Sequence, residues 1–331
     1  MSDILGLLSS AFCGFVPMLF LVGIIYWLDR YEKEPKVLVG GVFSWGAVIA
    51  VIGALFLQIF LGESVLLLTG SVVVEEALGS SLFAPVTEEI LKGLAVLLVF
   101  LFFHHEFDSI LDGIVYASVA ALGFAATEDV LYYFSAYMEE GFSGLLTLVF
   151  LRFVIFGWQH AFFTSFIGIG LALARLNKNV AVRVLAPLAG LGMAIFVHSL
   201  HNSLLTFISG LAGLLAATIV AWSGWVFMFL FILVLVYREK SWLVEYLREE
   251  VALRTITTAQ YEQACSFLGY ARMRFNALFS GRYRSTLRFY QLCAELAHKK
   301  RQLKLMGEET GNTRYVNDLR AELSRVSSSI V

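Results

Sequence analysis

Glu88, Glu89 and Lys92 lie inside a stretch of chain that is otherwise apolar. Glu128, His160, and the pair His198 and Asn202 interrupt three further apolar stretches. Burying an ionised side chain at bilayer depth costs about 2.5–3.5 kcal/mol on insertion scales. So many of them imply mutual partners, a water-filled cavity or a bound ion. Carboxylates and imidazoles carried on separate helices are the groups that hydrolysis inside a membrane requires. A carboxylate takes a proton from water, imidazole nitrogens ligate a metal, and an amide N–H holds a developing oxyanion.

The first stretch reads Ala84-Pro85-Val86-Thr87-Glu88-Glu89-Ile90-Leu91-Lys92. Pro85 suits the first turn of a helix, and acids are favoured in N-terminal turns. Glu88 lies four residues before Lys92 and Glu89 three before it, so one glutamate can pair with the lysine and leave its neighbour to act. The plain alternative is an ion pair that ties helices together. Gly123-Phe124-Ala125-Ala126-Thr127-Glu128 sets small residues ahead of an acid, which permits close helix approach. Asp112 reads as a cap or loop tether, Asp129 as facing water, and Arg152 as snorkelling to the outer interface. His198 and Asn202 share one helix face, while His201 points about 60° away and is assigned to packing or support. Glu128, His160 and His198 offer two nitrogens and a carboxylate oxygen, a shell that suits Zn2+ with one position open. Asn202 is the oxyanion donor and one of Glu88 and Glu89 the base.

These residues need spans to carry them. The chain has 331 residues, 59% hydrophobic and 15% charged, with a mean hydropathy of +0.77. That composition excludes an ordinary soluble globule and predicts an all-α, polytopic membrane bundle. Apolar runs near 9–28, 37–61, 82–103, 109–134, 147–174, 184–208 and 211–237 give about seven spans of roughly 20 residues. Val65–Val74 is too short to cross and reads as a re-entrant or interfacial piece. At 1.5 Å per residue, Glu88, Glu89, Glu128 and Asn202 lie about 9–11 Å from the outer ends of their spans, His198 about 15 Å and His160 about 20 Å. Most of the set therefore shares one level in the outer half of the bilayer.

Residues 238–331 hold 16 of the 24 Lys and Arg but only 10 of the 26 Asp and Glu. The chain thus divides into a membrane domain over 1–237 and a basic helical tail over 238–331. Arg30, Lys33 and Lys36, then Arg175, Lys178 and Arg183, fall on the same side as that tail. The positive-inside rule puts the tail in the cytoplasm and the N-terminus outside. No basic region precedes the first apolar run, so a retained span is expected rather than a cleaved signal. Cys13, Cys265 and Cys293 form no disulfide framework. Within the tail, Trp242, Val244, Leu247 and Val251 recur at helical spacing. Thr257 and Gln260 resemble a capping box, and Gly307–Thr313 a turn. No nucleic-acid partner is expected.

The set resembles the PrsW family of intramembrane metalloproteases, in the wider group that includes CAAX prenyl proteases and bacteriocin-immunity proteins. The resemblance runs through Glu34-Pro35, Glu88-Glu89-x-x-Lys92, Asp112-Gly113, Gly123-Phe124-x-x-x-Glu128, His160 and His198-x-x-x-Asn202. It implies catalytic or metal-binding roles for Glu88, Glu89, Glu128, His160 and His198, with Asn202 as oxyanion donor. The second motif ends in Glu128 where the prenyl-protease relatives carry a histidine. That departure opens a choice between a His/Glu metal centre and a metal-free glutamate site. The expected activity is cleavage of a membrane-anchored protein, such as an anti-sigma factor, near the external face. A proton- or cation-coupled transporter and a non-catalytic scaffold are the rival readings; no inverted repeat favours the first.

Overall fold

The computed structural model describes residues 2–29, 31–266, 283–308 and 311–330. Arg30, and Glu309 and Thr310 of the expected turn, lie outside the described residues. The described residues are helical and contain no strand. Six helical runs are long and apolar enough to cross a membrane: Asp3–Leu28, Lys36–Thr69, Ile110–Glu140, Phe142–Arg175, Val180–Phe207 and Gly210–Ala252. The expected third span is a further helix of 19 residues, Ala84–Phe102, set apart from the six by Glu88, Glu89 and Lys92. The chain is a polytopic membrane protein.

Two compact units can be distinguished. The first comprises residues 1–28, 34–175 and 179–231; the second comprises 29–33, 176–178 and 232–331. In the first, α1 (Ser2–Leu28), α2 (Lys36–Ser44), α3 (Val51–Thr69), α4 (Val72–Leu78) and α5 (Ala84–Phe102) precede α6 (Ile110–Glu140). Then come α7 (Phe142–Val149), α8 (Gln159–Arg175), α9 (Val180–Phe207) and the first part of α10 (Gly210–Tyr246), whose residues from Ile232 onward belong to the second unit. The segment Val65–Val74 is not a separate re-entrant piece. Its first half completes α3, Gly70 turns the chain at φ 64°, and Val72 opens α4 on a Ser71 cap. Length misleads here, because α3 overruns its span.

The axis of this unit is α6, in which every residue from Leu111 to Ala126 is buried. It starts on a capping box: Ser109 Oγ accepts from the Asp112 amide, and Asp112 Oδ2 accepts from the amides of Asp108 (2.8 Å) and Ser109 (2.7 Å). Its small residues let neighbouring backbones approach. A Cβ on Gly123 would stand 2.1 Å from the Phe43 carbonyl oxygen, and one on Gly113 would stand 2.3 Å from that of Gly168. α2 is thus drawn in at Gly123, the start of the motif that ends in Glu128, and α8 is drawn in ten residues earlier at Gly113.

Three π-helical segments, Trp45–Ala50, Gly79–Phe83 and Phe150–Ile155, interrupt regular helix in this unit. Such insertions shift the phase of the residues beyond them and concentrate at functional sites. The third merges into turn residues 156–158 before α8, so the expected single span at 147–174 is broken. In the second unit, helices Tyr283–Met306 and Asn312–Ile330 pack together, with Phe289, Leu292, Leu296, Leu319 and Leu323 buried. The Thr257–Gln260 capping box is present.

Candidate active site

Pro85 stands in the first turn of α5, and one turn later Thr87, Glu88, Glu89 and Lys92 are all buried. Lys92 does not choose between the two glutamates. Its ammonium donates to Glu88 Oε2 at 3.1 Å and to Glu89 Oε1 at 2.9 Å. It also stands 4.2 Å from the centre of the Phe124 ring, a cation–π contact that helps to hold a charge out of water.

The two carboxylates differ in what else they meet. Glu89 is fully buried and bonded at both oxygens. Oε1 accepts from Lys92 and from His198 Nδ1 (2.9 Å), and Oε2 accepts from Thr164 Oγ1 (2.7 Å). A carboxylate on Nδ1 fixes the proton there and leaves the Nε2 lone pair of His198 available. Glu88 instead lines a cavity of about 390 Å³ together with Glu128, Arg152, His160, His198 and Asn202. Its Oε1 is 3.4 Å from Gln58 Nε2 and its Oε2 is 3.9 Å from His198 Nε2.

One ligand atom from each of Glu88, His160 and His198 fits within a mutual distance of 4.8 Å. Glu128 stands beside this trio, its Oε2 at 3.2 Å from His160 Nε2. That nitrogen is buried and, despite its closeness to the carboxylate, lacks a partner in hydrogen-bond geometry. Buried imidazole and carboxylate donors converging on one point, one nitrogen without a bond, fit a divalent metal of the zinc type. His160 and His198 meet edge to face at 5.4 Å between ring centres. The expected metal and base residues are thus gathered in one place from α5, α6, α8 and α9. Asn202 joins the cavity wall, with one amide N–H given to the Ser80 carbonyl at 2.9 Å.

Two expectations from the sequence are corrected. Arg152 does not snorkel outward; it turns in, bonds Glu128 Oε2 at 2.5 Å and Asp129, and covers the Tyr132 ring at 4.1 Å. Asp129 does not face water, being 1% exposed and held by Arg152 and by Tyr133 Oη at 3.2 Å. The two corrections have one source, since Arg152, carried on the π-helical segment 150–155, and the acids Glu128 and Asp129 of α6 neutralise one another inside the bundle. His201 is buried against Phe156 (4.9 Å) and Phe163 (5.8 Å), in keeping with a packing role. Sequence reasoning passed over Gln58, which reaches Glu88 from α3. A lone amide inside an apolar run was the available signal.

A membrane-embedded bundle with buried acids and imidazoles around a polar cavity has the makings of an intramembrane hydrolase. The comparisons give the class. The family model for PrsW family intramembrane metalloproteases matches residues 34–237, so the chain belongs to that family. It is 30% identical to Protease PrsW of Geobacillus kaustophilus over 192 residues, 58% of this chain and 77% of that protein. Protease PrsW of Oceanobacillus iheyensis is 30% identical over 204 residues, covering 60% and 84% of the two chains. That of Bacillus subtilis is 29% identical over 201 residues, covering 59% and 82%. No solved structure matches the chain at a significant level. The chain is a membrane protease, and residues 238–331 lie beyond the family match.

Proposed function

We propose that this protease hydrolyses a peptide bond of a single-span membrane protein, an anti-sigma factor in the manner of the family resemblance. The supporting observation is the convergence of Glu88, His160 and His198 within 4.8 Å of one another, beside Glu128, in a polar cavity. His160, His198 and Glu128 are assigned to hold zinc. Glu128 Oε2 stands 3.2 Å from His160 Nε2, near enough for the two to share one ion. When bound, the ion supplies Lewis acidity toward water and the scissile carbonyl.

The chain's own residues perform the remaining steps. Glu88, held by Lys92 and Gln58 and facing the cavity, takes the proton as the water oxygen bonds to the carbonyl carbon. Asn202 turns its second amide N–H toward the oxyanion. Glu88 then returns the proton to the departing amine as the C–N bond breaks. Glu89 touches no substrate in this scheme; it holds the His198 ring in its tautomer.

A metal-free variant is favoured by one contact, Lys92 Nζ at 3.4 Å from His160 Nδ1. An ammonium only donates, so Nδ1 accepts and the ring proton passes to Nε2, which then faces Glu128 as a donor. Elemental analysis decides between them. One equivalent of zinc in purified protein, lost from His160→Ala and from Glu128→Gln but kept by Glu88→Gln, carries the metal assignment. Full activity without metal, indifferent to chelators, leaves the glutamate-activated water alone.

A membrane domain over 1–237 and a cytoplasmic tail over 238–331, with an external N-terminus, complete the proposal. They are supported by the side on which Lys33, Lys36, Arg175, Lys178 and Arg183 fall. Thiol labelling of Ser328→Cys should require permeabilised cells.

A further inference from the structure

A second cavity, of about 300 Å³, opens beside the broken fifth span, with Phe20, Ile24, Phe156, Trp158, Trp222 and Trp225 among its walls. It is almost wholly apolar and aromatic. Trp158 and Trp222 each stand within 6 Å of Trp225 between ring centres, at 5.9 and 5.8 Å. One residue, Gln159, belongs to the walls of both this cavity and the polar one. Gln159 immediately precedes His160, and its Oε1 is buried without a hydrogen-bond partner. The carbonyl freed nearby by the helix break, that of Ile155, is already taken by Trp222 Nε1 at 2.9 Å. The unbonded acceptor is therefore Gln159, and it sits where the two cavities share a wall.

A buried amide oxygen left unbonded is costly, so a site that keeps one is matched to a donor. A membrane-spanning substrate brings such a donor. Its helix must open locally for the scissile carbonyl to be attacked, and each N–H so released in an apolar setting needs an acceptor. The residue next to an opened bond also projects its side chain sideways, toward whatever pocket adjoins the catalytic cavity.

We infer that Gln159 and the adjoining aromatic cavity form a substrate subsite: Gln159 Oε1 accepts a backbone N–H of the opened segment, and the cavity takes a bulky apolar side chain beside the cut bond. The inference rests on the protease reading and adds to it a preference for large apolar residues. A lipid chain would fill the cavity without regard to the sequence of the substrate, whereas this occupant makes the rate depend on it.

The test uses the full chain in proteoliposomes with a single-span reporter carrying Ala, Phe or Trp at each position flanking the cut. The parent chain should cleave the Phe form about tenfold or more faster at one position, the discrimination that an apolar pocket provides. Ile24→Trp, which narrows the cavity, should bring that ratio to about one. Phe20→Ala, which widens it, should move the preference from Phe to Trp. Gln159→Leu should slow the Ala and Phe forms alike and leave the ratio standing. Cleavage at a ratio that ignores both Ile24 and Phe20 overturns the subsite alone. A parent chain that cuts no membrane-anchored reporter overturns the protease reading and the subsite with it.

Discussion

Two buried carboxylates of this chain, Glu250 in the second unit and Glu88 in the first, sit in opposite electrostatic company. Glu250 is fully buried and is met by two cations, Lys300 Nζ at 2.9 Å and the Arg320 guanidinium, whose Nε stands 2.9 Å from Oε2. Charge there is covered, and every oxygen is engaged. Around Glu88 the balance is reversed. Lys92 serves Glu88 and Glu89 together, and Arg152 serves Glu128 and Asp129 together. Two cations stand among four acids, with two neutral-capable imidazoles between them. A closed account of charge, as at Glu250, ties elements together. An open one facing a cavity leaves room for a cation or a transferable proton.

The largest effects should separate these two sites outright. Glu88→Gln is expected to lower reporter cleavage about 10²–10⁴-fold, the usual loss of a general base, while the protein keeps its melting temperature in detergent. Glu250→Gln should do the reverse. It takes from Lys300 and Arg320 the buried acid they share, and because Glu249 stays within reach of both and both cations are partly exposed, the loss is about 1–3 kcal/mol rather than the full cost of a broken buried pair. Protease sensitivity of the tail would report it, with cleavage of the reporter retained. If Glu88→Gln unfolds the membrane unit and Glu250→Gln abolishes turnover, the contrast fails.

A smaller effect tests two neighbours on α9. Asn202→Ala should lose about 10²-fold in turnover with metal content unchanged, since removing one oxyanion donor costs that order. His201→Ala should cost less than tenfold in turnover and act mainly on thermal stability, because His201 touches Phe156 and Phe163 and is absent from the walls of the polar cavity. Equal losses from the two variants would place His201 in the chemistry.

The smallest effect belongs to the tail's thiols. Burial pushes Cys265 up to about 11 and raises Cys293 as well. A raised thiol pKa means that almost no thiolate is present at pH 8 in the folded state. Iodoacetamide at pH 8 should therefore leave both unlabelled until denaturant is added. Prompt labelling in the native protein would show that this part of the tail opens readily.

Much of this was legible in the chain itself. Apolar runs of spanning length gave the helical bundle, because backbone polar groups in lipid are satisfied only within helices or closed barrels. Pro85, and Thr257 with Gln260, marked helix starts and Asp112 a cap, because caps are local chemistry. The acids and histidines worth watching were visible as well, since an ionisable residue in an apolar run stands out whatever its fold. Arg152 and Asp129 were misread because each was judged alone, whereas they pair with one another across two elements, a contact that no local pattern announces.

What the sequence by itself determined, then, is which residues enter the membrane and which of them are too polar to be there without a partner. Tertiary structure alone decided who the partners are. His198 leans on Glu89, Arg152 turns in to Glu128, and Gln159 stands between two cavities. The physical reason is that periodicity fixes the faces of one helix relative to each other. The rotation of that helix against its neighbours is set by close contacts such as Gly123 on Phe43 and by the π-helical breaks; small residues announce that an approach occurs but not which helix makes it, and the breaks have no local signature.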